Sequence, residues 1–251
     1  MDDFYQLEWT FTPSNYFEQE LDVQVEGVTI AIRDGSAEAR IDSKTYEQDS
    51  SLHERLHEHL VQAFRGTQLI ALKPFELSRP TKTRIRPDGK REMYLEASTS
   101  VAFVKSSGVD FVVRKADGTV IDSKAERLAA KRELAELVRK HSSDDHLAAM
   151  LNSIARALTD KANCLVHLYE VRDSLSSKFG GKKQAINALS LSSSQWSELG
   201  RLANDEPLQE GRHRGKMIHA LRPATKEELD RCKGLATKFV VAYLQYLESQ
   251  S

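Results

Sequence analysis

The 251-residue chain reads as an α+β protein. An antiparallel, β-rich N-terminal domain over residues 1–122 precedes an all-α helical bundle over residues 123–251. Three observations predict this. Short alternations of apolar and polar residues fill the first half, punctuated by Asp-Gly turn signals at 34–35, 88–89 and 117–118. Apolar residues at helical spacing fill the second half, with capping signals at the helix starts and Gly180-Gly181 as a stop. The charge also changes sign between the halves. Residues 1–122 carry 15 Lys and Arg against 21 Asp and Glu, a net of −6, whereas residues 123–251 carry 21 against 16, a net of +5.

The strands follow in order. Phe4–Phe11 is aromatic and alternates imperfectly, and Leu21–Glu26 and Val28–Arg33 alternate well on either side of Gly27. Asp34-Gly35 tolerates the positive φ of a tight turn and leads into Ala37–Ile41. Leu69–Leu77 is apolar and strand-like. Thr83–Ile85 and Met93–Glu96 flank the second turn, and Val101–Val104, Val109–Arg114 and Thr119–Ile121 complete about seven to nine short strands. That number predicts a sandwich or a strongly curved sheet. One helix interrupts it: Ser51–Phe64 places Leu52, Leu56, Leu60 and Phe64 at i, i+4 spacing, an apolar stripe to lie on the sheet.

In the second half, Ser123-Lys-Ala-Glu126 has the form of a capping box and starts a helix that runs to about Lys140. Ser143-Asp144-Asp145 caps a second helix with the stripe Leu147, Met150, Leu151, Ile154 and Leu158. A third covers Lys161–Phe179, with Leu165, Leu168, Tyr169, Arg172 and Leu175 near one face. Short helices over Lys182–Leu189 and Ser194–Ala203 follow. Thr225-Lys-Glu-Glu228 caps a long last helix whose core side carries Leu229, Cys232, Ala236, Phe239, Val240, Tyr243 and Leu247.

Composition narrows the function classes. Apolar content is 40% and charged content 29%, with no run of about 18 apolar residues, so no membrane partner is expected. The polar, acidic N-terminus does not have the form of a signal peptide. Cys164 and Cys232 fall in helical patterns as small buried apolar groups, and two isolated cysteines make no disulfide framework, which predicts a reducing cytoplasm. No cofactor is expected.

Three stretches could carry chemistry. His53-Glu54-Arg55-Leu56-His57 matches H-E-x-x-H, in which two His at i, i+4 bind zinc and the Glu activates water. No metzincin extension follows His57, and Glu76, which could serve as a third ligand, lies in an expected strand; the simpler reading is a solvated His/Glu face beside the Leu stripe, with no metal. Residues 181–201 resemble a helix-turn-helix, with Ala185 and Leu189 in the first helix, a turn at Ser190–Ser193 and a second helix from Ser194. By that resemblance Ser194, Gln195, Ser197, Glu198 and Arg201 face DNA. The simpler reading packs both helices into the bundle through Ile186, Leu189, Trp196 and Leu199.

The third stretch is the most basic. Arg212, His213, Arg214, Lys216, His219 and Arg222 fall within eleven positions. Arg offers a charged planar fork that matches phosphate, and His titrates near neutrality and can move a proton. On a helix, Arg212 and His219 share a face, although Gly211, Gly215 and Pro223 leave room for only about two turns. Arg214-Gly-Lys-Met-Ile-His219 fits R-x4-H and Arg212…His219 fits R-x6-H. Residues 125–250 thus resemble the HEPN superfamily, a helical bundle with this motif ahead of its last long helix, and the run from Gly180 to His213 resembles a pattern that recurs in bacterial proteins. The resemblance implies metal-independent RNA cleavage of the defence or toxin type, by a homodimer in which two motifs meet. It implies an Arg that holds phosphate and a His at the 2′-hydroxyl region; on this chain Arg212 and Arg214 are expected to hold phosphate, His219 and His213 to carry protons, Glu170 to orient an Arg, and Lys216 and Arg222 to make further nucleic-acid contacts. The N-terminal domain then senses or recruits. The rival expectation is a non-catalytic adaptor or a DNA-binding regulator built around the helices of residues 182–203, with Gln195 and Arg201 as nucleic-acid contacts.

Overall fold

A computed structural model of the chain describes residues 3–94, 112–114, 120–216 and 218–251. The readings Val101–Val104 and Asp117-Gly118, and parts of Met93–Glu96, Val109–Arg114 and Thr119–Ile121, lie outside the described residues. The architecture is α+β, an antiparallel sheet followed by a helical region. The chain divides into two compact units, Met1–Phe64 with Phe75–Ala129, and Arg65–Pro74 with Ala130–Ser251.

The first unit is built on one seven-stranded sheet. Strands β1 (Phe4–Thr12), β2 (Leu21–Val25), β3 (Val28–Arg33), β4 (Ser36–Asp42), β5 (Glu76–Leu77), β6 (Thr81–Ile85) and β7 (Arg91–Tyr94) pair in the order β2-β3-β4-β1-β6-β7, with β5 on the end of β1. Alternation sets which face is buried: Tyr5, Leu7, Trp9 and Phe11 of β1 point inward with Ile30 and Ile32 of β3. The Asp34-Gly35 turn forms as expected, with Gly35 at φ +78°. A short helix α1 (Ser43–Gln48), capped by the Asp42 carboxylate, had no expectation. The helix α2 (Leu52–Ala71) places Leu52, Leu56, Leu60 and Phe64 in the core with the inward face of the sheet. Among the described residues the larger sheet carries this helix on its inward face, in keeping with the alternative of one sheet with a helix. Strands β8 (Val112–Arg114) and β9 (Val120–Asp122) form a separate hairpin.

One expected strand is corrected. Leu69–Leu77 is not a strand, because α2 continues through Ala71 and only Glu76–Leu77 pairs with β1. A continuous apolar run fits a buried helix as well as a buried strand, and here the helix wins. Gly66 does not break it. A Cβ there would lie 2.3 Å from Ala135 Cα in α3 (Ser123–Lys140), so the glycine answers to packing.

The second unit gathers α4 (Asp145–Thr159), α5 (Cys164–Phe179), α6 (Lys182–Ala188), α7 (Ser193–Gly200) and α8 (Lys226–Ser249) around one apolar core. Caps fix the helix boundaries. Asp122 Oδ1 accepts from the Lys124 and Ala125 amides at 3.0 and 3.1 Å, so α3 is capped one residue before Ser123. Asp144 caps α4 and also accepts from Tyr243 Oη at 3.0 Å, tying α8 to that cap. Gly180 closes α5 at φ +74°, and Thr225 and Glu228 form the expected capping box on α8. Cys164 and Cys232 are buried and unpaired with one another, and burial raises both thiols, Cys232 to about 12. Among the described residues no helix is long and apolar enough to cross a membrane.

Candidate nucleic-acid interface

The basic stretch is a closed loop rather than a helix. After α7 the chain winds through a π-helical turn, Arg201–Asp205, with the Glu206 amide donating to Arg201 O at 2.9 Å. The loop is then pinched at its base. The Gln209 amide donates to Arg222 O and the Arg222 amide to Pro207 O, both at 3.0 Å, while Arg222 grips Glu228 through both guanidinium nitrogens at 2.8 and 2.7 Å. Glu210 accepts from the Ala224 amide at 2.9 Å. Among the described residues between these ties the one helical feature is a 3-10 turn, Arg214–Lys216. The shared-face argument for Arg212 and His219 therefore has no helix under it. The physical reason is local: two glycines, a proline and no apolar periodicity give an α-helix nothing to bury.

Two cations of the loop are anchored, Arg212 on α5 and Arg214 on the 3-10 turn Lys161–Asn163 that precedes it. The Arg212 amide donates to Ala203 O at 3.0 Å, the carbonyl presented by the π turn. Its guanidinium lies 4.3 Å from the Tyr169 ring centroid and donates Nη1 to Asp173 Oδ2 at 3.1 Å. Arg214 turns to the start of α5, donating Nη1 to Ala162 O at 3.2 Å and Nη2 to Asn163 Oδ1. The two environments differ in charge. Arg212 faces a carboxylate, whereas the two acceptors that hold Arg214 are neutral.

Glu170 does not orient either arginine. It accepts from Ser153 Oγ at 2.9 Å and lies 3.5 Å from His167 Nδ1; Asp173, three residues on, holds Arg212 instead. A polar chain leads away from Arg214. Asn163 donates Nδ2 to Asp160 Oδ2 at 2.8 Å, and His167 donates Nε2 to the same oxygen at 3.1 Å. Asn163 first, then His167, hold the Asp160 carboxyl below the usual range. Sequence reasoning named none of Asp160, Asn163, His167 and Asp173. Asp160, Asn163 and His167 follow one another at i, i+3 and i+7 from the end of α4 into α5, which was the available signal; Arg214 lies 51 residues on from Asn163.

His219 is elsewhere. It sits at the exposed loop tip with Ile218, 67% exposed, and Lys216 is exposed beside them. His213 is half-buried, and its carbonyl accepts from the Lys216 amide at 3.0 Å. Within one chain, then, the structure seats Arg212 on α5 and Arg214 on the turn before it and leaves His219 outward.

The other two stretches are engaged internally. α6 and α7 are joined by a turn with Ser190 at φ +50°, the left-handed position where a helix-turn-helix favours Gly, and Ser192 caps α7. The side chains cast as DNA readers have partners inside the bundle. Gln195 accepts from Lys238 at 2.9 Å, Glu198 takes Arg231 at 2.9 and 2.6 Å, Arg201 bonds Glu206, and Ser197 meets Lys182 at 3.1 Å. In the H-E-x-x-H stretch His57 is buried and its Nδ1 accepts from Trp9 Nε1 at 3.2 Å, while His53 Nδ1 meets Ser50 O at 2.6 Å and Tyr46 Oη at 3.2 Å. The chain matches no family model, no curated protein and no solved structure.

Proposed function

We propose that the helical unit binds RNA through the Arg212–Arg222 loop and cleaves it without a metal, acting as a homodimer in the manner of the HEPN proteins that its motif resembles. The observation that carries this reading is the seating of the loop. Arg214 is held at the start of α5 by neutral acceptors and keeps its full charge for a phosphate, while His219 stays exposed a few residues on. A phosphate-holding Arg stabilises charge that develops in the reaction, and an exposed His can carry the proton. In one chain the two groups are not joined, so the reading assigns the completing group to a second copy. Purified full-length protein should cleave single-stranded RNA in the presence of chelator as fast as in its absence. Cleavage abolished by chelator and restored by a divalent metal would overturn the metal-independent reading.

A second reading, duplex DNA binding by α6 and α7, is favoured by the left-handed Ser190 turn. It requires salt-sensitive duplex affinity that weakens in Arg201→Ala. The internal pairing of Gln195, Glu198 and Arg201 counts against it.

A further inference from the structure

Arg212 is the outer end of a run of ring and guanidinium contacts that begins in the bundle core. Phe239 and Trp196, both fully buried, stack with centroids 5.5 Å apart. The Arg172 guanidinium lies 5.2 Å from the Trp196 centroid and 4.8 Å from the Tyr169 centroid, and Arg212 lies 4.3 Å from Tyr169. Each guanidinium–ring step is within the roughly 6 Å reach of a cation–π contact. Arg172 is fixed by donating Nη1 to Trp196 O at 3.2 Å, and Arg212 by its bond to Asp173. The Arg212 plane is therefore set before any ligand arrives, so little ordering cost remains at binding.

A guanidinium has two faces. The Arg212 Cζ lies over the Tyr169 ring, and the side chain stays 38% exposed. Its charge is already matched by Asp173, a carboxylate that disfavours a second anion at the same edge. A neutral planar group suits such a surface better than a phosphate does. We propose that Arg212 on Tyr169 is a stacking platform for one unpaired nucleobase of single-stranded RNA, with Arg214 and Lys216 of the same loop meeting the adjoining phosphates. The proposal rests on the RNA reading above and adds the form of the strand. Bases in a duplex stack on one another and offer no free face, whereas unpaired bases stack on aromatic and guanidinium planes.

The test is a titration of the full chain with three fluorescently labelled RNAs of equal length: a single strand, its abasic ribose-phosphate counterpart and a duplex. The wild type should prefer the single strand to the abasic strand by about ten-fold. Arg212→Lys keeps the charge and loses the plane, so it should bind both at the abasic level. Tyr169→Leu should do the same and Tyr169→Phe should retain the preference, with melting curves confirming that each variant is folded. Wild type that binds base-bearing and abasic strands alike, a preference that survives in Arg212→Lys, or a preference for duplex would each overturn the platform and leave RNA binding standing. Wild type that binds no RNA would overturn both.

Discussion

Gly200→Ala is a small change with a large expected effect. Gly200 has helical φ and ψ of −61° and −46° and continues into the π turn, so by propensity alone alanine should stabilise it by about 1 kcal/mol. The surroundings reverse the sign. A Cβ at Gly200 would lie 1.7 Å from Arg172 Nη1 and 2.9 Å from its Cζ. That neighbour is the far end of a flexible side chain, so Arg172 swings out and the helices stay. It then loses its bond to Trp196 O and its contacts with the Tyr169 and Trp196 rings. A hydrogen bond from a charged donor contributes about 1.5–3 kcal/mol and a cation–π contact about 0.5–2. Allowing for rehydration of Arg172 and for the helical gain, the net loss is about 2 kcal/mol. At roughly 2–4 °C per kcal/mol for a chain of this size, the melting temperature should fall by about 4–8 °C. The assay is thermal unfolding by far-ultraviolet circular dichroism, on Gly200→Ala alone and in an Arg172→Met background. There the same alanine should be neutral or stabilising. An unchanged or raised melting temperature with Arg172 present would refute the reasoning.

Two further predictions concern pH. His57 Nδ1 must be unprotonated to accept from Trp9, and burial, followed by the charges of Arg79 and His53, depresses its imidazole below the ordinary 6.5. The unfolded chain binds a proton that the folded chain refuses, so stability should fall as pH drops below about 6.5. His57→Ala should remove that part of the slope and cost about 1–3 kcal/mol at neutral pH by orphaning the buried indole N–H; urea midpoints at several pH values measure both, and an unchanged slope would contradict it. Arg222 first, then the Thr225 amide, hold the Glu228 carboxyl at about 2 against an ordinary 4.5. The stabilisation is present above about pH 4.5 and lost as pH falls toward 2; Glu228→Gln, which keeps a capping side chain, should flatten the urea-midpoint curve in that window, and parallel curves for the two proteins would count against the pair.

Local rules read well in this chain. Period-two alternation gave β1 to β4, Asp34-Gly35 gave a turn that needs φ of +78°, and Gly180 and the Thr225 capping box gave both ends of the loop-bearing region. The failures share a cause. The run from Leu69 to Leu72 is apolar without periodicity, so helix and strand could not be told apart. Gly66, inside α2, answers to Ala135, which lies far off in sequence. At the candidate site, residue types pointed to Arg212 and Arg214, and helical spacing then misplaced them. Their positions are set by Tyr169, Asp173 and Asn163, 39 to 51 residues upstream, and periodicity carries no information about such pairs.

We propose that the Arg212–Arg222 loop performs RNA chemistry. RNA cleavage and melting temperature, measured on one preparation each of wild type, His219→Ala and Arg214→Ala, test it most directly. A proton-transfer His contributes about 10²–10⁴-fold in rate, and exposed His219 packs no core, so His219→Ala should lose cleavage while melting as the wild type does. Arg214→Ala should also lose cleavage, with at most a small drop in melting temperature from its bonds to Ala162 and Asn163. A folded His219→Ala protein that cleaves at the wild-type rate would contradict the assignment, as would a wild type that cleaves no RNA.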